Sequence, residues 1–179
     1  MPAPDVAAHS DPIGRRIRSA RRRPLFTAAE LPQTSLGVSE LEALLPHREP
    51  MRLVDAVHGF DEGTGRAWGM RRIAADDRGF DGHFPGNPVY PGVLLVEAVG
   101  QLSLVAAAMR RGETGSIAVR LTRVIEAAFV AEVGPECDLT LLCDPVEDDG
   151  YVLTSIGQAL VGDVIACACA FEAMWLEED

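Results

Sequence analysis

A loop rich in Gly and Pro that runs straight into a long apolar stretch constrains this chain more than any other feature. Gly82-His83-Phe84-Pro85-Gly86-Asn87-Pro88-Val89-Tyr90-Pro91-Gly92 delivers one histidine, and the run from Val93 to Met109 follows with hardly a polar side chain. Pro is tolerated in the first turn of a helix, where its missing N–H costs little, so the helix is expected to start near Pro91. Arg110-Arg111-Gly112, two cations and a glycine, is a stop signal. A helix that is apolar on nearly every face is buried on all sides. Its length and its Gly, Glu and Gln interruptions read against a membrane span.

Only Glu97, Gln101 and Ser103 are polar in the middle of that helix. Glu97 and Gln101 are four apart, so their side chains lie one above the other on one face. At a rise of about 1.5 Å per residue, Glu97 falls roughly 9 Å into the helix from Pro91. A carboxyl placed there must be paired or protonated, and a protonated one can serve as an acid near neutral pH. The bland alternative is an ion pair between Glu97 and a core Arg, with His83 an ordinary loop histidine. Against it stands the joint arrival of both residues beside a helix N-terminus, whose free N–H groups and positive dipole end suit an oxyanion.

The run His-Phe-Pro-Gly-x-Pro-Val-x-Pro-Gly-Val-Leu-x-x-Glu-Ala-x-x-Gln, residues 83–101, resembles the signature of the 3-hydroxyacyl-acyl-carrier-protein dehydratases of the FabZ/FabA hotdog family. Glu rather than Asp at position 97 makes it similar to the FabZ branch. Leu45-Pro46-His47-Arg48-Glu49-Pro50, followed by Leu53-Val54-Asp55, resembles the family's lead-in to its first strand, which extends the likeness well upstream.

The resemblance implies loss of water from a 3-hydroxyacyl thioester to give the trans-2-enoyl thioester. That chemistry needs a base for the C2 proton, an acid for the departing C3 hydroxyl, and polarisation of the thioester carbonyl. His83 is assigned as the base, since histidine titrates nearest neutrality. Glu97 is assigned as the acid, with Gln101 fixing its carboxyl. The Gly92 N–H would bind the enolate oxygen, and glycine there lets substrate approach the backbone closely. Gly86 and Pro88 shape the loop, and the Val89 carbonyl is placed to accept from the other ring nitrogen of His83. Phe84 and Tyr90 are candidates for the acyl-chain tunnel; the family commonly has Met where Tyr90 stands.

The resemblance also implies that no metal and no redox cofactor is required. The substrate would arrive on the phosphopantetheine arm of acyl carrier protein. In the family the His and Glu of one site come from different subunits, so a dimer, with a second copy or with another hotdog chain, is part of the expected mechanism. His47 belongs to the lead-in and is read as structural. Glu132-Val133-Gly134-Pro135-Glu136 departs from the Pro-Gly-Asp turn usual after the helix, and the stretch before it lacks most of the usual pattern. Those departures leave tunnel shape and substrate choice open, between fatty-acid and polyketide or polyene assembly. Three other functions remain: a partner subunit of a heterodimeric dehydratase, a hotdog acyl thioesterase, and a module that only binds acyl carrier protein.

Strands are expected near 51–59, 64–73, 116–130, 136–144, 151–161 and 164–173, with Asp148-Asp149-Gly150 and Gly162-Asp163 as hairpin turns. A strand pair, one buried helix and a run of antiparallel strands make a two-layer α+β arrangement. This agrees with the hotdog fold, a curled sheet around one long helix. Ser39-Glu40-Leu41-Glu42 matches a capping box opening a short helix. The chain divides into one domain, 37–179, and an extension, 1–36, read as mobile or peripheral and rich in Arg. The extension's charge opposes that of the rest, and it reads either as a contact for an acidic partner or as a solvated tail.

A net charge of −11 argues against general nucleic-acid binding. With no secretory leader and no membrane span in the reading, the expected compartment is the cytoplasm. Cys137, Cys143, Cys167 and Cys169 show no metal-ligand spacing and read as reduced thiols in strands.

Overall fold

The computed structural model describes residues 12–176. Helix α1 (Pro12–Ala20) leads through a short 3-10 turn to strand β1 (Gln33–Leu36) and helix α2 (Val38–Leu44). Strands β2 (Ala56–Phe60) and β3 (Ala67–Ile73) form a hairpin, and the loop after it feeds helix α3 (Gly92–Arg111). Four long strands close the chain: β4 (Val119–Phe129), β5 (Cys137–Asp148), β6 (Val152–Val161) and β7 (Val164–Trp175). All pairings are antiparallel, in one seven-stranded sheet of order β1-β2-β3-β5-β6-β7-β4.

The sheet curls around α3, which begins at Pro91 as N-cap and ends at Gly112 in the left-handed conformation at φ 71°. Its buried side, including Leu95, Val99, Leu102, Val105 and Ala106, meets Leu139, Leu141 and Phe171 of the sheet. Two sheet glycines set how closely it sits. A Cβ on Gly157 would strike Val99 Cγ1 and lie 2.7 Å from Leu142 O; one on Gly69 would lie 2.5 Å from Ala56 O and 3.1 Å from Leu102 Cδ1. Ser103 is satisfied between the layers, donating to Val99 O and meeting Ser155 Oγ, both at 3.1 Å.

Several expectations need correction. The central helix is not covered on every side in one chain: Val93 is 70% exposed, and the stripe through Glu97, Gly100 and Leu104 is only partly buried. The sheet ends at β4, whose far edge has no strand beside it among the described residues. Nor is α3 short for a bilayer; by length and composition it could cross one, and its packing under the sheet is what makes it a core helix. The N-cap of the short helix α2 is Gly37 rather than Ser39, with Glu40, three residues on, accepting from Gly37 N at 3.0 Å. The first strand is β1, and the one expected at 51–59 begins at Ala56 after an irregular segment.

The extension falls partly outside the described residues, at 1–11. From Pro12 onward it is seated on the outer face of the sheet, opposite α3. Ile17 is fully buried against Ile156 of β6 and Ala170 of β7. Buried Gln158 binds the segment: Leu25 N donates to its Oε1 at 2.8 Å, and its Nε2 donates to Ala20 O and to Arg23 O. Arg16 and Arg66 converge on buried Asp144, at 2.5 and 3.1 Å. Because β1 pairs with β2, the sheet itself takes in residues from before position 37.

Replacing Gly157 by Ala is expected to lower unfolding free energy by about 1–3 kcal/mol, as overpacking does in a filled core. Denaturant unfolding measures it, and an unchanged midpoint would mean that Val99 gives way freely.

Candidate active site

The loop before α3 is held by its own turns. Asp77 caps a 3-10 turn at Arg78–Phe80 by accepting from Gly79 N at 2.8 Å. Gly82 and Gly86 take positive φ, at 80° and 78°, where a side chain would be strained. Phe84 and Asn87 exchange backbone hydrogen bonds at 3.3 and 3.1 Å, and Val89 N donates to His83 O at 3.0 Å. The peptide bond between His83 and Phe84 is cis. The His83 ring stacks on Phe84, with centroids 4.0 Å apart.

His83 Nδ1 lies 2.7 Å from Val89 O. A carbonyl oxygen only accepts, so the neutral ring carries its proton on Nδ1 and leaves the lone pair on Nε2. That is the form a general base requires.

Glu97 stands one turn into α3 on the partly open stripe. Gln101 Nε2 donates to Glu97 Oε1 at 2.8 Å and to Met51 O at 2.7 Å, while its Oε1 accepts from Leu53 N at 2.8 Å. Helical spacing predicts Gln101 beside Glu97, whereas its grip on the 51–53 segment spans about fifty residues and has no local signal. His47 Nε2 lies 3.4 Å from Glu97 Oε1. This histidine, set aside as structural in the sequence reading, faces the same carboxylate, and the helical spacing of Glu97 and Gln101 gives no hint of it. His47, Glu97, Gln101, Leu104, Leu121 and Phe171 are among the walls of a cavity of about 90 Å³.

The burial expected of Glu97 is only partial in a single chain, its side chain being 30% exposed. His83 is not among the walls of that cavity and has no hydrogen bond to Glu97 among the described residues. One chain therefore brings Glu97, Gln101 and His47 together, while His83, on the preceding loop, has no hydrogen bond or ion pair with them among the described residues.

Gly92 opens α3, where the first N–H groups have no partner within the helix. A Cβ on Gly92 would sit 2.6 Å from the ring of Phe129, so a side chain here would require that ring on β4 to move. Phe84 is exposed and lines no described cavity. Tyr90, expected in the acyl tunnel, lies instead in the core: it is 3% exposed, meets Phe80 edge-on at 5.5 Å, and is absent from the walls around Glu97. Burial, aided by the negative charge of Asp77, pushes its phenol up to about 12. Its backbone N donates to Val133 O at 2.7 Å, so the unusual 132–136 turn is where the signature loop is tied down.

The outer shell of this site is ionic. Buried Arg52 reaches Asp55 at 3.0 Å and Glu49 at 2.6 Å; Arg71 reaches Asp55 at 3.0 Å and Asp77 at 2.8 Å. The chain of charges links the segment gripped by Gln101 to the turn that precedes His83.

A sheet curled about one helix, with a histidine loop at the helix N-terminus and a carboxylate one turn in, defines a hotdog protein of the acyl-thioester class. Residues 45–169 match the FabA-like domain, and the chain belongs to that family. It is 32% identical over 146 residues to the 3-hydroxyacyl-[acyl-carrier-protein] dehydratase FabZ of Macrococcus caseolyticus, covering 82% of this chain and 99% of the relative. It is 33% identical to the Bacillus subtilis FabZ over 132 residues, 74% of this chain and 92% of that one. Among solved structures, the dehydratase heterocomplex ApeI:P of Xenorhabdus doucetiae shares the fold, with a TM-score of 0.63 at 15% identity over 80% of this chain and 93% of that one.

Gln101→Leu is expected to lose about 1–3 kcal/mol of stability, because Leu53 N and Met51 O lose their partner in a buried place. Thermal unfolding beside the parent measures this, and an unshifted midpoint would show the 51–53 segment to be held by the ionic cluster alone.

Proposed function

We propose that this chain dehydrates a 3-hydroxyacyl thioester carried on acyl carrier protein, giving the trans-2-enoyl thioester and water. The observation that carries the reading is the His83 tautomer set by Val89 O, on the loop that opens the helix bearing Glu97. His83 Nε2 takes the C2 proton. The electron pair left on C2 moves toward the thioester carbonyl, whose oxygen is stabilised by the Gly92 N–H at the helix N-terminus. Glu97, oriented by Gln101, protonates the C3 hydroxyl, and water leaves as the C2–C3 double bond forms. The FabZ relatives carry that reaction in their names.

The site is read as shared between two chains, His83 of one facing Glu97 of the other. What supports this is the lack of a hydrogen bond or ion pair between the two residues within one chain, together with the open edge of β4. Leu121, Val124 and Phe129 on that strand are exposed, as is Val93 at the start of α3. An unpaired strand with apolar side chains is a ready pairing surface. Since His83 and Glu97 are both present, a homodimer suffices; a heterodimer with a second hotdog chain is the alternative.

Purified protein is expected to remove one water from a 3-hydroxyacyl carrier-protein thioester, read by mass spectrometry, and His83→Ala and Glu97→Gln are each expected to cost about 10² or more in turnover. Co-expressing the two variants should restore about a quarter of the parent activity, since a mixed dimer has one intact site of two. Free thiol without enoyl product would make the chain a thioesterase. Inactivity of the parent alone would point to a missing partner chain, and no recovery on mixing would place both residues in one subunit's site.

A further inference from the structure

Outside the family domain the chain carries a cationic surface that the acid–base chemistry does not use. Arg18, Arg21, Arg22 and Arg23, at the end of α1 and just past it, line a cavity of about 690 Å³ together with Ser19 and Val130. All four arginines are exposed. Arg23 Nε donates to Ser19 Oγ at 2.7 Å, whereas Arg18, Arg21 and Arg22 have no acidic partner among the described residues. The neighbouring Arg16 differs, being held by Asp144. A cation in the last turn is favoured by the helix dipole, which accounts for Arg18 but not for Arg22 and Arg23 beyond the helix. A concentration of like charge is unexpected in a chain whose net charge is −11.

The patch is rigidly placed. Ile17 in the core and Gln158 on Ala20 O and Arg23 O fix the end of α1 against β6 and β7. It is also adjacent to the site. Val130, one of its walls, directly follows Phe129, whose ring packs on Gly92 at the start of α3. Three residues further on, Val133 O holds Tyr90 N of the signature loop.

We propose that Arg18, Arg21 and Arg22 form a docking surface for the acidic face of the acyl carrier protein, seating it beside the N-terminus of α3. This rests on the dehydratase reading above and adds where the carrier binds. Exposed guanidinium forks suit carboxylates, and a charged patch of this kind acts on encounter and KM rather than on the chemical step.

The test compares the full-length parent with the triple variant Arg18→Ser, Arg21→Ser, Arg22→Ser. One acyl group is offered on acyl carrier protein and on pantetheine, at low and raised salt, alongside direct titration with the carrier protein. The variant is expected to lose about tenfold or more in kcat/KM for the carrier-bound substrate, chiefly through KM, and to lose most of the salt dependence. Its turnover of the pantetheine thioester should stay within about twofold of the parent, which a merely structural patch would not ensure. Equal kinetics of parent and variant on the carrier-bound substrate would overturn the docking surface. So would a parallel loss on both substrates, or tighter binding of duplex nucleic acid than of carrier protein. If the parent dehydrates neither substrate, the reading of the function fails, and the titration still decides the surface: carrier binding weakened about tenfold in the variant supports it, and unchanged binding overturns it.

Discussion

The arrangement depends on one polar side chain inside an apolar helix. Gln101 is 1% exposed, and an amide so buried is tolerable only when its donors and acceptor are used. It uses them on Met51 O, Leu53 N and Glu97 Oε1, so its burial joins the helix, the lead-in segment and the carboxylate in one act. Beside that grip, the lead-in is held by the Arg52 and Arg71 ion pairs, by Asp55 N donating to Met70 O, and by the burial of Leu53 and Val54. The cost of leaving any one of those groups unpaired is what makes the geometry definite.

Burial on both faces explains the rest of the sheet. β6 is buried along almost its whole length, because α3 covers one face and α1 the other. Such a strand reads in sequence as a continuous apolar run, not as an alternation. The run Val152–Val161 breaks that signal with Thr154, Ser155 and Gln158, the last two buried on partners distant in sequence, while the spacing of Ile13, Ile17 and Ala20 between arginines is that of an amphipathic helix. The density of arginine masked it, so residues 12–20 read as a tail. By contrast α3 was legible end to end, since Pro91 and Gly112 punctuate it and its apolar side chains leave no other state open. The hairpins at Gly150 and Gly162 were legible for the same local reason, both glycines taking positive φ.

The site divides along the same line. The placement of His83 on the loop and of Gly92, Glu97 and Gln101 on the helix was legible because they lie in one continuous stretch, where loop and helix periodicity fix their relations. The contact of His47 with Glu97 spans fifty residues of sequence, and that of Phe129 with Gly92 crosses from the last turn of one strand to the first turn of a helix. No local rule encodes either. Tyr90, a tunnel candidate because the family commonly has Met there, turns its side chain inward to Phe80 in the single chain while its backbone ties down the loop, a placement no local rule encodes.

In the single chain Glu97 is partly open to water. The stripe that leaves it open runs from Val93 past Gly100 toward Leu104, alongside Leu121 of the free edge strand. Covering that edge with a second β4 would exclude water from the stripe and satisfy the unpaired strand together. On the proposed pairing, desolvation of the acid and delivery of the base become one event. The same contact that hides the apolar edge supplies the missing histidine. On that proposal the acid meets a dry environment only where its partner base is present.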